Sequence, residues 1–210
     1  AFSFFVLGSW GCNPSIQKIK TKNNKQQPEQ FRSMGGASSK NIKVMIVGNA
    51  DAGKTTLLYR MKLKNLKSSE FSTTTGFNFE NVAVPGSKQQ LAVWDLAGTN
   101  ERQRYWKYFY EAVRVDVLLF VVSLDQKKKL PEAAKLFRFL RNEERLRDSL
   151  KLICVNSDDE RDFFSKSTLE EVGSALGLTE KNPHERLLPI NAISGVGLDS
   201  VFLAIQDYYC

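Results

Sequence analysis

Residues 48 to 55, Gly-Asn-Ala-Asp-Ala-Gly-Lys-Thr, set two glycines five positions apart and follow the second with a lysine and a hydroxyl residue. That spacing suits a loop that holds polyphosphate through its backbone: glycine lets the chain turn tightly and lets phosphate oxygens approach the N–H groups. The N–H groups of Asp51, Ala52, Gly53, Lys54 and Thr55 would wrap a β-phosphate, with Thr56 in the next turn. The helix dipole would add favourable potential, and the Lys54 ammonium would lie between the β and γ phosphates. The Thr55 hydroxyl would serve Mg²⁺. An ordinary strand-to-helix turn is the plainer alternative, but the apolar run before the loop and the helical pattern after it are the context that the phosphate-binding motif requires.

Phosphate loops serve kinases, ATPases and GTPases alike, so base choice has to be read elsewhere. Asn156 and Asp159, in VNSDD, stand three apart just after an apolar run. A carboxylate at the second position can accept both N1–H and the 2-amino group of guanine, and adenine offers neither donor. Further on, NAIS (191–194) offers the Ala192 N–H to guanine O6, with Ile193 beside it. A phosphate-loop ATPase or small-molecule kinase is the alternative, and no substrate lid is visible for it.

These groups need a scaffold that brings four separated stretches to one edge. IKVMIV (42–47) reads as a strand and 53–62 as a helix. FNFENVAV (77–84) and QLAVW (90–94) flank Pro85-Gly86-Ser87 as a hairpin. VLLFVV (117–122) is an uninterrupted apolar run, as a strand covered on both faces should be, and LKLICV (150–155) reads as a further buried strand. Residues 131–147 read as an amphipathic helix, Thr168 with Glu171 as a capping box, LLPI (187–190) as a last strand and 197–209 as a closing helix. The expected fold is α/β: three layers, a mostly parallel six-stranded sheet with helices on both faces, ligands gathering at the strands' carboxyl ends.

With these motifs in order, the chain from about 42 to 209 resembles small GTP-binding proteins. STTTGFNFENV, LAVWDLAG and RYWKYFY are similar to the ADP-ribosylation factor (Arf) and Arf-like branch. The resemblance implies a GTP/GDP switch with Mg²⁺ that recruits effectors, a role in vesicle trafficking, and exchange-factor and GTPase-activating partners. It implies that Thr74 ligates Mg²⁺ and senses the γ-phosphate, with Thr73 and Thr75 as close neighbours. It also implies that Asp95 holds Mg²⁺ through water and that the Gly98 N–H meets the γ-phosphate. Phe77, Trp94 and Phe109 match the branch's aromatic effector patch, or else simply pack the core.

Several positions depart from that pattern. Position 99 is Thr where the branch usually has the Gln that orients the attacking water, so intrinsic hydrolysis is expected to be very slow. A GTP-binding scaffold with negligible hydrolysis is the alternative reading. Arg102 or Arg104 would compensate in part, or be solvated charges. Ser157 replaces a Lys whose stem lies over the base, which points to fast nucleotide exchange; Ala50 replaces an Asp, with acidic Asp51 one place later, so the local charge is shifted rather than lost.

Composition fits a globular domain of this size: 210 residues, 42% hydrophobic, 25% charged. The net charge is +7, but residues 1–33 hold five of the basic residues and one acid, leaving 25 basic against 22 acidic side chains, or +3. That mild excess argues against a nucleic-acid partner. Cys12, Cys154 and Cys210 lie far apart beside a single histidine, which excludes a zinc site and fits a reducing compartment. DYYC at the end does not match a prenylation box. AFSFFVLGSW is too short to span a bilayer.

Residues 1–40 are expected to be a disordered N-terminal segment and 41–210 the GTPase domain. MGGASSK (34–40) fits N-myristoylation at Gly35 only if translation begins at Met34, in which case the preceding 33 residues are upstream sequence. The segment lacks the apolar periodicity of an amphipathic membrane helix. The expectation is a cytoplasmic monomer, peripheral on internal membranes such as Golgi or vesicles if Gly35 is acylated.

Overall fold

The computed structural model describes residues 41–63, 73–159, 165–179 and 182–209. The expectations for residues 1–40, including Met34 and Gly35, and for Cys210 lie outside the described residues. Strands and helices alternate: β1 (Ile42–Gly48), α1 (Lys54–Lys62), β2 (Phe77–Ala83), β3 (Gln90–Leu96), α2 (Asn100–Gln103), α3 (Trp106–Ala112) and β4 (Val117–Ser123). A 3-10 segment (Leu124–Lys129) then runs into α4 (Leu130–Arg141), followed by β5 (Leu150–Asn156), α5 (Lys166–Leu176), β6 (Glu185–Ile190) and α6 (Leu198–Tyr209).

The six strands form one sheet in the order β2-β3-β1-β4-β5-β6. Only β2 runs antiparallel, paired with β3 across the Pro85-Gly86-Ser87 turn; the other neighbours are parallel. Parallel strands need crossover helices, which cover both faces and let β1, β4 and β5 be mostly apolar and almost wholly buried. Alternate residues of β1 therefore serve different cores. Val44 and Ile46 pack with Leu57, Leu58 and Met61 of α1 and Val201, Phe202 and Ile205 of α6. Met45 and Val47 pack with Trp106 and Phe109 of α3, Phe137 and Leu140 of α4, and Val172 and Leu176 of α5. The Phe120 and Phe137 rings lie 5.1 Å apart, and truncating such a buried ring costs about 3–5 kcal/mol.

This is the three-layer α/β fold expected from the sequence. β1 has β3 on one side and β4 on the other, so the chain direction of the crossovers reverses there and a crevice opens beyond the strand's carboxyl end at Gly48. Among the described residues no helix is long and apolar enough to cross a membrane.

Three local expectations are corrected. The helix read over 131–147 ends at Arg141; Asn142 closes it, and a separate 3-10 turn at Glu144–Leu146 buries Leu146. The charged run Glu143–Arg147 carries no Gly or Pro stop signal, so its helical pattern outlasts the helix. Thr168 is not a cap: α5 starts at Lys166 with Ser165 as the N-cap residue, and the Ser165 carbonyl accepts from the N–H groups of Thr168 and Leu169. Trp94 and Phe109 are each 1% exposed and stack at 5.3 Å, so these two members of the aromatic set are core residues, while Phe77 is half-buried. Cys154 packs as a small hydrophobe, and burial pushes its thiol pKa up to about 12.

Candidate nucleotide-binding site

The loop after β1 turns sharply into α1 at Gly53, whose φ of 92° is left-handed. A Cβ there would stand 2.5 Å from the Asn156 Nδ2, so glycine is required by both conformation and space. Among the described residues Asp51 is the one non-glycine with positive φ, at 61°. Its carbonyl accepts from the Gln126 Nε2 at 3.1 Å, which braces the loop from the 3-10 segment. Ala52 is buried, and Thr56 is half-buried in the first turn of α1.

Lys54 turns back over this loop, with Nζ donating to the Asn49 carbonyl at 2.7 Å and the residue only 6% exposed. Burial pushes its pKa below the ordinary lysine value; the Asp95 and Asp51 carboxylates oppose that shift, and Lys129 adds to it. One carbonyl is a thin complement for three N–H donors, and a polyanion would complete it. Gly98, after β3, presses on the same ammonium: a Cβ at 98 would lie 2.4 Å from the Lys54 Nζ and 2.4 Å from the Gly48 carbonyl oxygen.

Three oxygen-bearing side chains from distant stretches meet beside Lys54. The Thr55 hydroxyl donates to the Asp95 Oδ2 at 2.6 Å and lies 2.9 Å from the Thr74 hydroxyl; Thr74 reaches the same carboxylate oxygen at 3.5 Å. Asn78 donates to that oxygen at 3.0 Å. The other carboxylate oxygen, Oδ1, is buried without a hydrogen bond. Burial drives the Asp95 pKa up, and the hydrogen bonds from Thr55 and Asn78, the Lys54 charge and the Thr74 bond hold it back. Hydroxyls plus one carboxylate with a spare buried lone pair are hard oxygen donors, the set that suits Mg²⁺ sharing its shell with phosphate and water. No group of three or more His, Cys, Asp or Glu able to hold a metal occurs among the described residues, so zinc-type chemistry is not offered.

The far end of the crevice is held by Asn156. Its Nδ2 donates to the Ala52 carbonyl at 3.2 Å and its Oδ1 accepts from the Ala192 N–H at 2.9 Å, so one amide joins the phosphate loop, β5 and the loop after β6. Asn191 shapes that last loop, its Oδ1 accepting from the N–H groups of Ile193 and Ser194 at 2.9 Å each. Buried Ser157 folds the 156–159 turn: its hydroxyl accepts from the Asp159 N–H at 3.1 Å and donates to the Asp159 carbonyl at 3.3 Å. Ala192 is buried and Ile193 exposed.

Sequence similarity decides among the families that use such a crevice. The profile of the ADP-ribosylation factor family matches residues 28–209. ADP-ribosylation factor-like protein 1 of Saccharomyces cerevisiae is 32% identical over 162 residues, 77% of this chain and 84% of that protein. The chain belongs to the ADP-ribosylation factor family. ADP-ribosylation factor-like protein 1 of Drosophila melanogaster is 31% identical over 170 residues, covering 80% of this chain and 88% of the relative. ADP-ribosylation factor-like protein 3 of Caenorhabditis elegans is 31% identical over 148 residues, covering 70% and 76%. In fold the chain is similar to the Arl6 BBS3 small GTPase of Trypanosoma brucei, solved with the nucleotide analogue GppNp: the TM-score is 0.63 at 18% identity, over 80% of this chain and 96% of that one. As an Arf-family member the chain is of the GTP-binding switch type, a class of GTP hydrolases.

Within that family frame, Asp51, Ala52, Gly53, Thr74, Gly98, Asp159, Ala192 and Ile193 lie on loops, Lys54, Thr55 and Thr56 in the first turn of α1, and Asp95 and Asn156 at the carboxyl ends of β3 and β5. Thr99 is half-buried just before α2, and its carbonyl accepts from the N–H groups of Arg102 and Gln103. Arg102 and Arg104 both lie over the Tyr105 ring, at 6.0 and 4.9 Å. Asn78, Asn49 and Asn191 were not singled out in the sequence. Asn78 had a readable signal: the hairpin centre falls between Gly86 and Ser87, and counting outward equally sets Asn78 opposite Asp95, the register observed. Asn49 and Asn191 act on backbone groups whose positions only the folded loops define.

Proposed function

We propose that this protein is an Arf-like GTP switch in which Thr74 and Gly98 engage the γ-phosphate and draw their two loops into an effector-binding arrangement. One observation carries the reading: Thr55, Thr74 and Asp95, from three separate stretches, converge within 2.6–3.5 Å beside the buried Lys54 ammonium. The Asp51–Thr56 amides and Lys54 bind the phosphates, and Asp159 with the Ala192 N–H reads guanine. Thr55, Thr74 and Asp95 would hold Mg²⁺, Asp95 by way of water, and the ion would neutralise phosphate charge there. Loss of the γ-phosphate removes the ligand common to both loops and releases them.

A second reading, a GTP-binding scaffold with negligible hydrolysis, is favoured by Thr99 standing where the branch usually has the water-orienting Gln. Single-turnover hydrolysis with and without candidate activators separates the two. Exchange factors, effectors and activating partners are of the kinds the family uses. If Gly35 is N-terminal and myristoylated, one acyl chain gives marginal, reversible attachment to internal membranes. Calorimetric titration with GTP and ATP in Mg²⁺ tests the core of the reading: heat from GTP and GDP with at least ~100-fold weaker ATP binding is expected from losing a charge-assisted hydrogen-bond pair. Equal affinity for ATP would refute it.

A further inference from the structure

Family members of this branch place the water-orienting amide directly after Gly98, and here that position is Thr99, a shorter side chain with a hydroxyl in place of the amide. An amide does stand beside Gly98, four residues beyond Thr99. Gln103, in the first turn of α2 with its N–H bonded to the Thr99 carbonyl at 3.0 Å, folds its side chain back so that Nε2 donates to the Gly98 carbonyl at 3.0 Å. The Gly98 carbonyl oxygen can only accept, so the amide orientation is fixed by chemistry: nitrogen toward Gly98, oxygen Oε1 turned to the other side. Gly98 itself abuts the Lys54 ammonium, the group that marks the terminal-phosphate end of the cradle. Of the other polar side chains of this segment, Asn100 accepts from the same Gln103 Nε2 at 3.5 Å, while Arg102 and Arg104 lie on Tyr105 and the Arg104 guanidinium also donates to the Tyr105 hydroxyl at 3.0 Å.

We propose that Gln103 supplies the water-orienting amide that position 99 lacks, held in place by the Gly98 carbonyl and accepting a hydrogen bond from the attacking water through Oε1. The inference rests on the GTP-switch reading above. In the reaction the water oxygen bonds to the γ-phosphorus as the bond to the β–γ bridging oxygen breaks, its electron pair leaving with GDP. One water proton stays on the phosphate and the other is released to solvent. Gln103 gains and loses no atoms; it restricts the direction from which water attacks, and half-burial limits the rotamers it samples. Turnover remains slow because the amide arrives from one helical turn farther along and is shared with Gly98.

The test uses the full chain loaded with GTP and follows phosphate release in a single turnover for wild type, Q103A, T99Q and T99Q/Q103A, with labelled-GDP release measured in parallel. Loss of one orienting hydrogen bond is expected to slow Q103A about tenfold. GDP release should stay within about twofold of wild type, and T99Q should restore hydrolysis on the Q103A background. A Q103A rate equal to wild type overturns the proposal, as does wild-type hydrolysis no faster than that of free GTP. A slowed Q103A that also sheds GDP faster and is not rescued by T99Q assigns Gln103 to loop support alone and overturns it too. Failure of every variant to load GTP refutes the nucleotide reading itself, a result distinguishable from all the others.

Discussion

Replacing Asn156 with Ala removes both bonds of a 6% exposed amide, the one given to the Ala52 carbonyl and the one taken from the Ala192 N–H. Ala52 and Ala192 are 2% and 1% exposed, so neither orphaned backbone group regains water freely. At about 1–3 kcal/mol for each buried unsatisfied group, the substitution should cost roughly 2–5 kcal/mol in total. That cost divides between folding of the empty protein and nucleotide binding, because the clamp exists before ligand arrives and also sets the cradle's shape. The assay is urea unfolding of the nucleotide-free protein alongside calorimetric titration with GDP. Expected are a drop of at least about 1 kcal/mol in unfolding free energy and a loss of GDP affinity of ~10-fold or more, since each 1.4 kcal/mol is a factor of ten. A residue that only touched the base would weaken GDP and leave the empty protein unchanged. Unaltered stability with weakened GDP would therefore refute the clamp, and no change in either would refute the site.

Asp159→Ala should behave oppositely, losing about 100-fold in guanine-nucleotide affinity through two charge-assisted hydrogen bonds while the empty protein unfolds at the same urea concentration. Asp51→Asn keeps a residue that tolerates the left-handed conformation but removes an exposed negative charge beside the phosphate cradle. GDP release should slow about two- to fivefold at low salt, with the difference fading as salt screens the charge; a salt-independent difference would point to backbone strain instead. Burial holds the folded Asp95 pKa above its ordinary value of 3.8, so between those two values the folded state binds the proton more tightly than the unfolded chain. Stability of the nucleotide-free protein from this group is therefore full below the unfolded pKa and declines as pH rises through the folded one. Asp95→Asn should remove that decline in thermal melts across mildly acidic pH; an unchanged slope would count against it.

How much could be read in advance depended on how local each requirement was. The phosphate loop was legible because backbone binding of phosphate forces glycines at fixed spacing, and the Gly53 contact with Asn156 is the steric reason in this chain. Asn156 was legible as a residue, but its work was not: it was read as a guanine contact, and its side chain joins two loops 36 residues apart or more. Thr73, Thr74 and Thr75 are indistinguishable by type; folding selects Thr74 as the one whose hydroxyl reaches Thr55. Trp94 and Phe109 have the character of an exposed patch in sequence and become core because the β3 register and α3 stack them together. The role of Gln103 was illegible because it depends on a side chain folding back five residues to Gly98.

The two innermost strands, β1 and β4, are covered on both faces, whereas the groups that would meet a ligand gather on loops and element ends at one rim. Amide deuteration should therefore run on two clocks, with the middle strands labelling only through global opening and the rim labelling through small local excursions. The central strands thus act as a built-in timer against which slower labelling of the rim, on adding a small molecule, can be scored within the same sample.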